Sequence, residues 1–264
     1  PGGIDHSVYG GSYMTAREIV KLFDYEAPLY TFYDWIRIKG GKEFHSSTGN
    51  VLTLDDVEEI YEPEVLRYIF VSTRPNKGFD ISFDADVIKI YDEYDNLEER
   101  YYDKTATAQE KRIYEFSQIK VVNKKPEKTG FRHLITLIQT GKTGNLNEES
   151  KKRAKKVKNW LERYAPEEFR FKVQEKIKIK LNEKEKNALI ELRKYLIKKI
   201  SNEQELFNEF YNICKKTGIS NKHFFEAAYK VIINKEIGPR LAVLILATGR
   251  EKIIACGYHG WHDW

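Results

Sequence analysis

The 264-residue sequence is poor in the residues that staple a chain, having two cysteines, one methionine and seven prolines. Cys214 and Cys256 are too few for a disulfide framework, and they stand too far apart for a zinc-type cysteine pair. A disulfide scaffold is therefore excluded, no metal site is expected, and the composition fits the reducing cytoplasm. Long apolar runs are missing too. The longest, Leu241 to Ala247, falls far short of the roughly twenty residues that cross a bilayer, so no membrane segment is expected. Neither a secretory pattern nor a methionine start precedes the first recognisable segments, since the chain opens at Pro1 and its methionine is Met14. These features lead us to expect a fragment of a soluble protein.

Charge is abundant. A hydrophobic content of 41% supports one or two domains with a substantial core, and the formal net charge is +5. The distribution of that charge is uneven. Lys151, Lys152, Arg153, Lys155, Lys156 and Lys158 form a block, followed by Lys172, Lys176, Lys178, Lys180, Lys184 and Lys186, whereas acids concentrate between Asp80 and Glu99. The basic half is a candidate RNA face; the plainer reading is a solvated helix surface with glutamate partners one turn away.

Periodicity gives a short α/β segment followed by helices, mostly α overall. Thr15-Ala16-Arg17-Glu18 predicts a capping box for a helix burying Ile19, Val20, Leu22 and Phe23. Leu29 to Ile38 alternates as one strand, closed by Gly40-Gly41. Thr53 caps a helix to Ile60, and Pro63 opens another. A helix over 84–102 interleaves tyrosines with acids, and these tyrosines read as packing. Gln118 to Thr129 reads as a connector. Beyond it lie helices burying Leu134, Trp160 and Leu192, one capped from Ser201 and stopped by Gly218, and one capped by Ser220. Trp160 reads as core and Arg163 as surface, with an RNA contact as the less favoured role, while His133 and His223 read as packed or surface histidines.

Short motifs point to chemistry. Glu43-Phe44-His45-Ser46-Ser47-Thr48-Gly49-Asn50 is a loop of small hydroxyl residues whose N–H and O–H groups suit a polyphosphate. Asp5-His6, Gly10-Gly11-Ser12-Tyr13 and Tyr33-Asp34-Trp35-Ile36 precede it, and Pro63-Glu64-Val65-Leu66-Arg67-Tyr68 follows. In this order the segments resemble the second half of the catalytic domain of class I lysyl-tRNA synthetases. Weaker agreement extends through Asn159-Trp160 and Gly238-Pro239-Arg240-Leu241.

The resemblance implies ATP with Mg²⁺, lysine and tRNA(Lys) as substrates and partners. It implies residues 1–53 as a Rossmann-type fragment, 54–117 as a stem-contact-like connector and 118–246 as an α-helical anticodon-binding domain. Asp5, His6 and Tyr33 would contact lysine. Lys42, His45, Ser46, Ser47 and Thr48 would act on the phosphates, with Phe44, Gly49 and Asn50 binding ATP. The family's loop lysines are replaced by Glu43 and Thr48, so Lys42 and His45 are the expected cationic donors. A half-sheet without its partner strands is expected to leave an apolar face uncovered and to be inactive alone. A non-catalytic RNA-binding module is the alternative. The last segment, residues 247–264, resembles an internal piece of class III aminotransferases, but without the Schiff-base lysine no pyridoxal phosphate is expected.

Overall fold

The computed structural model describes residues 1–39, 53–175, 179–198 and 202–258, with the side chains of 255–258 left undescribed. It divides into two compact units, Pro1–Lys125 and Pro126–Trp264. Their boundary falls inside the stretch that reads as a connector. The protein is mostly α, and among the described residues strands occur only as two short pairs.

The first unit opens with β1 (Gly2–Gly3), α1 (Ile4–Ser7), α2 (Ser12–Lys21) and β2 (Phe32–Tyr33). β1 and β2 are parallel, with Gly2 opposite Phe32 and Gly3 opposite Tyr33. The next set is β3 (Ile36–Ile38), α3 (Leu54–Glu58), α4 (Pro63–Ser72) and β4 (Phe79–Ile81). β3 and β4 are also parallel, with Ile36 opposite Phe79. A parallel pair needs a crossover rather than a hairpin, and helices lie between its members in both cases.

The strand expected over Leu29–Ile38 is divided at Asp34 and Trp35. The Asp34 carboxylate accepts from Trp35 N at 2.7 Å and Gly78 N at 3.1 Å, while Asp34 N donates to Pro75 O at 2.9 Å. An aspartate that captures backbone donors ends one ladder and starts the next. A second correction concerns α2. Its N-cap is Gly11 and no side chain caps it, so Thr15 lies inside the helix rather than opening it. None of α2 is buried, and the residues that should sit inside are open, with Leu22 82% and Phe23 77% exposed.

Burial begins further along. Thr53 and Asp56 cap α3 reciprocally, Pro63 stands at the start of α4, and Thr107 with Glu110 caps α6 (Ala108–Ser117). α5 (Asp86–Tyr102) buries Val87, Ile88, Tyr91, Tyr94 and Leu97. Tyr91 and Tyr94 are core, as their helical spacing predicts, while Tyr101 and Tyr102 are half-buried. Tyr91 accepts from Glu62 N and donates to Ile60 O, both at 2.9 Å. Tyr114 on α6 donates to the buried Glu98 at 2.9 Å. Burial pushes the phenols of Tyr61, Tyr94 and Tyr114 upward, so they stay neutral.

The second unit contains α7 (Phe131–Thr140), α8 (Glu148–Arg163), a 3₁₀ turn at Glu167–Phe169, α9 (Glu183–Lys198) and α10 (Glu203–Thr217). α11 (Asn221–Ile233), α12 (Leu241–Thr248) and α13 (Arg250–Tyr258) complete it. Trp160 is fully buried between Phe131 and Phe169, each ring 5.6 Å from it and edge-on. Leu192, Leu206, Phe210, Phe224, Ile232 and Leu244 build the larger core, against which Ile253 and Ile254 of α13 pack. Gly218 adopts φ +66° behind α10, and Ser220 Oγ accepts from His223 N to cap α11. The cap of α10 is Asn202, which accepts from Glu205 N at 2.9 Å, one residue after the Ser201 position that the pattern suggested. Residues 259–264 of the aminotransferase-like segment lie outside the described residues. Among those described, no helix is long and apolar enough to cross a membrane.

Candidate functional site around Gly3

The site begins with glycines. A side chain at Gly11 would place its Cβ 2.6 Å from Asp5 O and 2.7 Å from His6 O, so only hydrogen allows α2 to start against the α1 turn. Gly10, at φ +79°, makes the bend that brings the chain there, and Gly11 N donates to Val8 O at 2.8 Å. The first residue of α2, Ser12, then meets His6, with Oγ and Nδ1 2.6 Å apart.

β1 brings the opposite wall. Gly3 lies beside Tyr33 in the parallel register, and a Cβ built on Gly3 would lie 3.8 Å from His6 Cδ2 and 3.9 Å from Tyr33 Cε2. The imidazole and the phenol ring thus flank one bare stretch of backbone. Tyr30 braces it from beneath: its hydroxyl donates to Gly3 O at 3.3 Å and accepts from Ser7 Oγ at 3.1 Å. Its ring stacks on Tyr13 with centroids 3.8 Å apart, and Tyr13 donates to Pro28 O at 3.1 Å.

His6 and Tyr33, named from sequence, are therefore brought together, and both are exposed. Asp5 is exposed in the first turn of α1. An imidazole and an aromatic face around open backbone suit a small cationic or zwitterionic molecule. The sequence reading missed Gly3, Gly11, Ser12, Tyr13 and Tyr30 as supports. The signal for Gly11, Ser12 and Tyr13 is the Gly-Gly-Ser-Tyr run ahead of a helix, a motif to which the sequence alone attaches no role. Asp34, whose carboxylate is engaged by backbone N–H groups, is a structural residue here.

Lys42, Phe44, His45, Ser46, Ser47, Thr48, Gly49 and Asn50 all lie outside the described residues. The chain on either side is anchored. Lys39 N donates to Ile81 O at 3.0 Å, and Lys39 Nζ pairs with Asp84 at 2.8 Å and also with Asp86. Those two carboxylates, Asp84 first, hold the ammonium well above its ordinary range. On the far side stands the Thr53 capping box.

The candidate RNA face is less basic than its composition. Arg153 is fully buried, which removes it from any surface array. Lys151 pairs with Glu148 and Lys152 with Glu149, both at 2.7 Å, and Lys186 pairs with Glu183 at 3.1 Å. These three lysines have a carboxylate partner one turn away, as on an ordinary solvated helix. Trp160 is core and Arg163 exposed, and His133 and His223 are both on the surface. Among the described residues, no group of three or more histidine, cysteine or carboxylate side chains could hold a metal ion.

Residues 1–120, which contain this site, match the family of class I (K) tRNA synthetases. Curated relatives extend the match to 96% of the chain, and they are lysine–tRNA ligases. That of Borreliella burgdorferi is 40% identical over 276 residues, with 53% of its own length covered. Those of Treponema pallidum and Thermococcus kodakarensis are 36% and 34% identical over the same 96% share, with 53% and 54% of their lengths covered. The chain spans about half the length of these relatives.

Proposed function

We propose that this chain is the part of a class I lysine–tRNA ligase that helps bind lysine, grips the ATP phosphates and holds tRNA(Lys). The observation that carries the proposal is the pairing of His6 and Tyr33 across Gly3 in a chain homologous to lysine–tRNA ligases. In the complete enzyme, lysine and ATP with Mg²⁺ give lysyl-adenylate and pyrophosphate, and the lysyl group passes to the terminal ribose of tRNA. Asp5, His6 and Tyr33 receive the amino acid: aromatic walls suit the alkyl stem, and a π face or lone pair suits the ammonium.

Lys42 and His45 supply positive charge to the leaving pyrophosphate, and the hydroxyls of Ser46, Ser47 and Thr48 complete the cradle with Phe44, Gly49 and Asn50. Residues 1–53 act as the Rossmann-type portion, 54–117 as the stem-contact portion and 118–246 as the anticodon-binding portion, in the cytoplasm. Residues 247–264 take no part in this chemistry.

Lysine-dependent ATP–pyrophosphate exchange by the full-length protein tests the proposal. His6→Ala and Tyr33→Ala should each raise the KM for lysine about tenfold or more, as the loss of a substrate-binding group does. Lys42→Ala and His45→Ala should instead cut kcat by about a hundredfold, as the loss of one transition-state donor does. Absence of exchange, with tRNA binding intact, would mark the protein as a non-catalytic RNA-binding module. Unchanged exchange in both loop variants would remove the loop's electrostatic role.

A further inference from the structure

We infer that Ser12 is a positioning residue for the amino-acid site: its Oγ accepts a hydrogen bond from His6 Nδ1–H, which holds the ring in the tautomer whose Nε2 is a lone-pair acceptor for the substrate's ammonium. The inference rests on the proposed function and goes beyond it by assigning a role to a residue outside the substrate-contacting set. Four observations carry it.

Ser12 Oγ lies 2.6 Å from His6 Nδ1, a full hydrogen bond rather than a passing contact. The contact is enforced by backbone, because the 2.6 to 2.8 Å clearances at Gly11 against Asp5 O and the His6 carbonyl group fix where α2 begins. The opposite edge of the ring borders the same Gly3 spot as Tyr33 through Cδ2, the carbon bonded to Nε2. Finally, α2 has no side-chain cap at its N-terminus, so the Ser12 hydroxyl is not committed to capping its own helix.

In neutral imidazole one nitrogen donates and the other accepts, and the partner of one sets the role of the other. With Nδ1–H donated to Ser12, Nε2 keeps its lone pair, next to the Cδ2 edge that borders Gly3. An ammonium group needs such an acceptor together with an aromatic face. The other tautomer, with Ser12 donating, would present an N–H to a cation and repel it. Ser12 would therefore decide whether the pocket prefers a cationic amino acid without touching that amino acid.

Two measurements test this on different footings. The first uses this chain without substrate: ¹⁵N shifts of the His6 imidazole, identified by their loss in His6→Gln. They should report a protonated Nδ1 and an unprotonated Nε2 in the wild type, moving toward a mixture in Ser12→Ala. An Nε2-protonated ring in the wild type overturns the inference.

The second uses lysine-dependent pyrophosphate exchange by the full-length enzyme. Ser12→Ala should raise the KM for lysine about tenfold, with kcat and the KM for ATP within about threefold and the melting temperature unchanged. Ser12→Thr, which keeps the hydroxyl, should restore the KM. An unchanged KM for lysine in Ser12→Ala, or a fall in kcat alone, overturns the positioning role while leaving the proposed function standing. A wild-type enzyme that exchanges pyrophosphate with an uncharged amino acid and ignores lysine overturns both.

Discussion

Residues 1–39 and residues 206–247 hold their shapes by different means. Between Leu206 and Ala247 most apolar side chains are enclosed, with Phe207, Tyr211, Ile237 and Leu246 exposed, and α12 alone buries Leu241, Ala242, Val243, Leu244, Ile245 and Ala247. Between Pro1 and Lys39, no described residue is buried, although Tyr9, Leu22, Phe23, Tyr25 and Leu29 are large and apolar. The early segment is organised by glycine-enabled close approach, tyrosine hydroxyls and two short parallel pairs. An amphipathic pattern therefore says which face wants cover, and only the tertiary structure says whether cover is present. The segment that carries the candidate site is the one with the least core beneath it.

The strongest way to break this comparison is to remove a large side chain from each region. Trp160→Ala should destabilise the chain by about 3–5 kcal/mol, because a fully buried ring wedged between Phe131 and Phe169 leaves a cavity. Phe23→Ala, at a side chain 77% exposed, should stay within about 0.5 kcal/mol. Urea titration followed by far-ultraviolet circular dichroism measures both. A large loss at Phe23 would mean that the open face is covered in solution.

Gly11→Ala asks how the early segment manages without a core. A methyl group there meets three backbone atoms of Asp5 and His6 at 2.6 to 2.8 Å, none of which can swing aside as a side chain could. The expected cost is about 1–3 kcal/mol, concentrated in residues 1–33. Amide hydrogen exchange should quicken there and stay unchanged in α10 and α11. Uniform quickening would show that the two regions unfold together.

A smaller loss is expected at Thr107→Ala. This removes half of a reciprocal cap in which Glu110 N donates to Thr107 Oγ1 at 3.2 Å and Thr107 N donates to Glu110 at 2.8 Å. Cap substitutions of this kind cost about 1 kcal/mol. Thr107→Ser should recover most of it in the same titration.

The sequence disclosed those features whose causes are local. Thr53, Pro63, Gly218 and Ser220 act within a few residues of themselves, so composition at the cap is enough to place them. The division of Leu29–Ile38 was hidden because it depends on Asp34 meeting Gly78, 44 positions away. Arg153 was counted with its lysine neighbours because a charge pattern carries no sign of which member turns inward. At the site, His6 and Tyr33 were named through resemblance, but their meeting over Gly3 needed the parallel register, and the Ser12 contact needed the fold of the Gly-Gly turn. The proposed phosphate loop, read from its hydroxyl residues and from the resemblance, lies outside the described residues.

The gentlest probe is pH, acting on an ion pair that ties α9 to α10 in the well-packed unit. Glu191 on α9 accepts from Lys194 at 2.8 Å and also pairs with Lys216 of α10. Those hydrogen bonds, Lys194 first, lower its carboxyl from 4.5 to about 2. A carboxylate whose folded value lies below its unfolded value stabilises the fold above the unfolded value and loses that contribution as pH falls through the folded one. The contribution should thus be complete above pH 4.5 and fade toward about pH 2. Glu191→Gln should flatten the decline of the urea midpoint across that window, and added salt should mimic it at neutral pH because exposed pairs are screened. Hydrogen exchange in residues 1–33 should not respond. A variant with the same acid slope as the wild type would transfer that slope to other carboxylates and leave Glu191 as a surface contact of no thermodynamic weight.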